Sequence, residues 1–156
     1  MLTIDIPNSR PLLLEHLVLD YNGTLAVDGE LIAGVQQRLA KLKSLLNIHV
    51  LTADTHGTVR QKLLTLQTTP YIIGADNQDK AKKEFVAGLG GATVVAMGNG
   101  RNDVLMLETA TLGIGILQRE GAAAAVLQCA DVVCTSIQDA LDLLIYPDRL
   151  RATLRN

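Results

Sequence analysis

Leu17-Val18-Leu19-Asp20-Tyr21-Asn22-Gly23-Thr24-Leu25 is the stretch from which the rest of the chain can be placed. Three apolar residues stop at a carboxylate, and a turn of Tyr21, Asn22, Gly23 and Thr24 follows before apolar sequence resumes. A buried strand that ends at once in Asp20 puts a charged side chain at the carboxyl end of the strand, where open α/β sheets bind ligands. Taken alone, an Asp after a strand is more often a simple turn former. Segments further along the chain favour the active-site reading.

Upstream, Leu2–Ile6 alternates as an edge strand would, Pro7–Pro11 reads as a turn, and Leu12–Leu19, or its second half, is the strand that delivers Asp20. Downstream, Asp28-Gly29 between apolar residues predicts a hairpin over Leu25–Ile32, a small flap beside Asp20. Apolar residues at Val35, Leu39, Leu42, Leu45 and Leu46 mark an amphipathic helix. Ile48–Thr52 is a second strand ending in a hydroxyl, with a helix from Ala53 to about Leu66. Tyr71–Ile73 is a third strand and Asn77–Leu89 a Lys-rich helix closed by Gly90-Gly91. Thr93–Met97 is a fourth strand, which runs into Gly98-Asn99-Gly100-Arg101-Asn102-Asp103 and a helix to about Thr109. Leu112–Ile116 and Asp131–Cys134 are short strands flanking an Ala-rich helix at Gly121–Gln128. Ser136 caps a helix over Ile137–Ile145, and Pro147 starts a basic tail helix. Strict alternation of β and α predicts a three-layer α/β domain with a mainly parallel sheet of about six strands.

The 156 residues fit one domain, 1–156. With 48% hydrophobic residues, 19% charged, one Phe and no Trp, the core is aliphatic, as in a sheet covered on both faces. A net charge of -2 and a pI near 5.9 leave no electrostatic footprint for nucleic acid or an anionic membrane. Asp5 stands where a secretory segment would be apolar, and no run is long enough to span a bilayer, so a cytoplasmic location is expected. Cys129 and Cys134 lack metal-ligand spacing and read as reduced, structural thiols. His16, His49 and His56 lie on separate segments and read as structural or surface residues. Asp28 and Asp54 read as a turn residue and a helix cap, and Arg149, Arg151 and Arg155 as a solvated face.

In a parallel sheet the strand ends at Asp20/Asn22, Thr52 and Asn99/Asn102/Asp103 point the same way and converge on one crevice. Lys80, Lys82 and Lys83 offer an ammonium for phosphate. A carboxylate nucleophile, a hydroxyl, a Lys and a second acidic loop are the parts needed to form and hold an aspartyl-phosphate, and hard oxygen donors suit Mg²⁺.

These residues resemble the motifs of the haloacid dehalogenase (HAD) superfamily. Asp20-Tyr21-Asn22-Gly23-Thr24 is similar to its Asp-x-Asp-Gly-Thr, Thr52 to its strand-terminal Thr or Ser, and Gly98–Asp103 to its Gly-Asp-Gly-x-Asn-Asp, with a Lys in between and all in the required order. Within the superfamily the chain looks most like the phosphorylation domain of P-type ATPases and the soluble P-type ATPase-like phosphatases, to which the segment Ala130–Ser136 adds. The resemblance implies a Rossmann-like core and Asp20 as nucleophile. Thr52 and a Lys would hold the phosphoryl group, with Tyr21, Asn22, Gly23 and Ala53 lining its position; spacing to Phe85-Val86 and Leu89 favours Lys82, and spacing to Gly98–Asp103 leaves Lys80 as the alternative. Mg²⁺ would be held by Asp20, the Asn22 carbonyl, Asn99 and Asp103.

Two departures bear on function. The acid that shuttles a proton in such phosphatases is Asn22 here, and Asn99 replaces an acidic metal ligand. General acid–base help is worth ~10²–10⁴ in rate, so slow hydrolysis and substrates with good leaving groups are expected. The intervals on either side of Thr52 are too short for a cap domain; capless relatives often oligomerise or act on large substrates, which makes a small phosphorylated substrate or a phosphoprotein, and a homo-oligomer, the expected partners. A regulatory domain that keeps the fold and turns over weakly is the alternative, which the retained Asp20 opposes.

Overall fold

A computed structural model describes residues 1–53, 68 and 70–155. The helix expected from Ala53 to about Leu66, with Asp54 and His56, lies outside them.

Among the described residues six strands form one parallel sheet. In chain order they are β3 (His16–Asp20), β6 (Asn47–Thr52), β7 (Pro70–Ile72), β8 (Val94–Gly98), β9 (Leu112–Ile116) and β10 (Val132–Cys134), and their spatial order is β10-β9-β8-β3-β6-β7. The chain builds outward from β3 in one direction through β6 and β7, and in the other from β8 through β9 and β10. The order therefore reverses beside β3, which is where such sheets open a ligand crevice. Register sets the depth of each strand end: Leu19 lies opposite Val50 and Met97, and Asp20 opposite Leu51.

Side chains alternate across the sheet. Leu17, Leu19, Val95 and Met97 pack on one face with α1 (Val35–Leu42) and α5 (Ile137–Ile145). Val18, Val94 and Ala96 pack on the other with Val86 of α2 (Gln78–Gly88), Met106 and Leu107 of α3 (Val104–Thr109), and Val126 of α4 (Ala124–Cys129). Both faces are thus covered, as the aliphatic composition requires. Ser136 caps α5 by accepting from the Asp139 N–H, and Arg38 on α1 forms a two-point ion pair with Asp142.

The N-terminal segment departs from the expected edge strand. Residues 7–11 turn the chain back, so β1 (Leu2–Ile4) pairs antiparallel with β2 (Leu12–Leu14) in a separate two-stranded sheet. The pattern Leu2–Ile6 marks an extended segment but does not specify its partner. Of Leu12–Leu19, only the second half enters the main sheet. The expected flap is present as β4 (Ala26–Val27) and β5 (Glu30–Leu31), with Asp28 and Gly29 at its tip in left-handed backbone. The tail helix α6 (Pro147–Leu154) is not simply a solvated face, since Arg151 donates to the Asp5 carbonyl and pairs with Asp148. His16 and His49, remote in sequence, meet on adjacent strands with ring nitrogens 3.1 Å apart; burial and then His16 lower the His49 pKa. Cys129 and Cys134 are both free thiols. Among the described residues no helix is long and apolar enough to cross a membrane.

Candidate active site

Asp20 ends β3 and is 7% exposed, beside the point where the strand order reverses. The chain then makes a tight turn in which the N–H groups of Leu25 and Ala26 both donate to the Tyr21 carbonyl, and Gly23 N–H donates back to Ala26. Tyr21 is fully buried and anchors this turn to the flap through its hydroxyl, 3.3 Å from the Gly29 carbonyl. Gly23 has φ +78°, and a Cβ there would run into the Asn99 side chain. Glycine is therefore required twice over, by conformation and by space.

From β8 the chain passes Gly98 and Asn99 into a single 3₁₀ turn, Arg101–Asp103. Asp103 is fully buried and folds back on its own loop: its Oδ2 accepts from the N–H groups of Asn99 (3.0 Å) and Gly100 (2.8 Å). Gly98 permits that fold, since a Cβ there would stand 2.5 Å from the Asp103 carboxyl carbon.

Lys82 on α2 joins the two carboxylates. Its Nζ lies 2.6 Å from Asp20 Oδ1 and 2.6 Å from Asp103 Oδ1, and the side chain is 1% exposed. Lys80, the alternative, is exposed, two residues away on the same helix. An ammonium bonded to two buried carboxylates leaves the cluster one negative charge in excess. Burial, and then the charge of Asp103, accordingly push the Asp20 carboxyl up to about 7 against the pull of Lys82 and Thr24. Burial pulls the Lys82 ammonium down, but Asp20 and Asp103 outweigh it and hold its pKa above the ordinary lysine value.

The other expected residues differ in exposure and in partners. Thr52, at the end of β6, is buried; Ala53 after it is half-buried. The Asn22 side chain is exposed. Asn99 is built into the protein at both ends of its amide, with Oδ1 accepting from Thr24 Oγ1 (3.2 Å) and Nδ2 donating to the Gly121 carbonyl (3.1 Å). Thr24 is a site residue that the sequence reading passed over: its hydroxyl sits 3.2 Å from Asp20 Oδ2 as well as from Asn99. Its place in the turn after Asp20 was the available signal. Asn102 accompanies the cluster through a 2.8 Å hydrogen bond to Gln78 at the start of α2.

Among the described residues no three or more His, Cys, Asp or Glu gather as a metal cluster. The donors present are the hard oxygens of two carboxylates sharing one ammonium, with an excess negative charge. That set fits Mg²⁺, which commonly takes one or two carboxylates and keeps several waters.

The chain shares its fold with solved HAD family hydrolases, and between Asp20 and Thr52 it holds only the hairpin and α1, with no cap domain. The chain superposes on the cobalt-bound deoxy-D-mannose-octulosonate 8-phosphate phosphatase of Haemophilus influenzae with a TM-score of 0.73 at 12% identity, over 92% of this chain and 94% of that one. A 3-deoxy-D-manno-octulosonate 8-phosphate phosphatase of Moraxella catarrhalis, solved with magnesium, phosphate and KDO, gives 0.70 at 18% identity over 92% and 95%. At such identities the likeness is one of fold. No family profile matches the chain. In sequence it is 46% identical over 63 residues to uncharacterized protein MJ0073 of Methanocaldococcus jannaschii, covering 40% of this chain and 68% of that protein, and it belongs to the family of that archaeal protein.

Proposed function

We propose that the protein is a Mg²⁺-dependent phosphatase or phosphotransferase that works through an aspartyl-phosphate on Asp20. The observation that carries this reading is Lys82 Nζ at 2.6 Å from both Asp20 and Asp103, at the point where the sheet order reverses. A buried cation shared by two carboxylates from separate strand ends costs desolvation that an aliphatic core would avoid. Phosphoryl transfer supplies a use for it.

In this reading an Asp20 oxygen attacks phosphorus, the bond from phosphorus to the leaving oxygen breaks, and the electron pair departs with the leaving group. Lys82 and Thr52 hold the phosphoryl oxygens. Thr24, bonded to the other Asp20 oxygen, fixes the carboxylate plane. Water then attacks phosphorus and releases phosphate, regenerating the Asp20 carboxylate. Asn22 can neither protonate the leaving oxygen nor take the proton from water. The enzyme is therefore matched to leaving groups that depart unprotonated, such as acyl phosphates, and hydrolysis of the phospho-enzyme is its slow step. Asp20, Asp103, the Asn22 carbonyl and the Asn99 oxygen would hold Mg²⁺, which would neutralise the excess charge and shield the nucleophile from an anionic substrate.

Hydrolysis of acetyl phosphate and p-nitrophenyl phosphate with Mg²⁺, in wild type and Asp20→Asn, tests the proposal. Metal-dependent turnover with a preference for acetyl phosphate is expected, abolished in Asp20→Asn. Equal activity in that variant would remove Asp20 as nucleophile.

A further inference from the structure

One side chain outside every expected motif holds the nucleophile turn in place. Gln118 follows β9 and its Leu117 neighbour, and is half-buried. Its Nε2 donates to two successive carbonyls of that turn, Gly23 (3.0 Å) and Thr24 (2.8 Å). Its Oε1 accepts from the Ile137 N–H (2.9 Å) in the first turn of α5. The carbonyls only accept and the N–H only donates, so the amide has one workable orientation and every polar atom of it is used. The loop that Gln118 begins reaches the site at two further points. Glu120 Oε1 accepts from the Asp28 N–H at the flap tip (2.8 Å), and the Gly121 carbonyl receives Asn99 Nδ2.

The consequence for Asp20 is direct. Gly23 and Thr24 carry the two peptide planes that aim the Thr24 hydroxyl at Asp20 Oδ2, and they follow the Asn22 carbonyl in the chain. Fixing both carbonyls to α5, whose apolar face is part of the main core, transfers the rigidity of that core to the turn. A catalytic carboxylate whose supporting contacts slip by about 1 Å loses on the order of 10²-fold in rate.

We propose that Gln118 is a positioning residue for phosphoryl transfer: it acts through the Gly23–Thr24 backbone to set the orientation of the Asp20 carboxylate. The proposal rests on the phosphotransfer reading above. Its structural part, the clamp on the turn, can be measured without that reading.

Gln118→Glu keeps the acceptor for Ile137 but sets a carboxylate oxygen against the two carbonyls. When protonated, the same side chain can donate again. Gln118→Met keeps the volume and loses all three bonds. At saturating acetyl phosphate with Mg²⁺, we expect the single-turnover rate of phosphoryl transfer to Asp20 to fall at least tenfold in both variants, with release from the pre-formed phospho-enzyme within threefold of wild type. The ratio of the Gln118→Glu to the wild-type transfer rate should rise as pH falls from 8 to 5.5, and the Gln118→Met ratio should stay flat. A wild-type transfer rate in both variants, or a release rate that falls in step with the loss, overturns the proposal. Amide hydrogen exchange in the metal-free proteins supplies the readout that does not depend on activity. Exchange at Gly23, Leu25 and Ala26 should quicken at least tenfold in Gln118→Met, with amides of β8 and β9 unchanged. Unchanged exchange in the turn, or equal acceleration throughout the molecule, overturns it. A wild type with no phosphoryl-transfer activity would refute the proposed function, and the exchange result would still decide whether the clamp exists.

Discussion

Asn22 and Asp20 divide the proposed chemistry between them. Asp20 carries the attack, whereas Asn22 leaves release to water without proton transfer. Restoring the acid should therefore act on release: Asn22→Asp is expected to accelerate phosphatase turnover by ~10²-fold, the lower end of what general acid–base help supplies. Steady-state hydrolysis of p-nitrophenyl phosphate measures it, and an unchanged rate would mean that release is not limited by proton transfer. Asp20 also makes stability depend on pH. Its carboxyl titrates near the ordinary 3.8 when unfolded and at about 7 when folded, so between those values the folded chain holds a proton that the unfolded chain has lost. The stability this group contributes is present below about pH 4, falls as pH rises to about 7, and is constant above. Lys82, shifted upward, loses its contribution only as pH rises through the alkaline range. Urea denaturation without divalent metal should show a larger loss from pH 5 to pH 8 in wild type than in Asp20→Asn. Equal losses would show that Asp20 is not held in its protonated form by burial.

At the scale of elements, the turn between β3 and the flap depends on glycine. Gly23→Ala forces a side chain into φ +78° and against Asn99, which costs on the order of 1–3 kcal/mol in backbone strain before the clash is counted. Thermal or urea unfolding should register at least that loss, and near-native stability would show that the turn can take another shape. Much of the element order was legible in the residues. Asp28-Gly29 specified the hairpin, Ser136 the start of α5, and the switch from apolar run to carboxylate the end of β3. What was not legible depends on partners far away in sequence. The pairing of Leu2–Ile4 with Leu12–Leu14, the meeting of His16 with His49, and the reach of Gln118 to Gly23 and Ile137 all follow from register and loop path, which no local periodicity encodes. Lys82 stood between: spacing favoured it over Lys80, while its ion pairs with Asp20 and Asp103 depend on the face of α2 that it occupies, Lys80 being exposed.

Across the molecule, the ends of β3 and β8 and the helix α2 bring a carboxylate pair and an ammonium together with the Thr24 hydroxyl on Asp20, and the likeness in fold is to proteins that share this core. Such a cluster can serve either as a reactive centre or as a buried ion network, and the two differ in one observable. The direct test is acid-quenched mass spectrometry of the wild type after incubation with acetyl phosphate and Mg²⁺. Phosphoryl transfer through Asp20 predicts an adduct on the peptide that contains Asp20, lost on omission of Mg²⁺ and absent from Asp20→Asn. A wild type that hydrolyses acetyl phosphate with no adduct on that peptide, or an adduct that persists in Asp20→Asn, would contradict it.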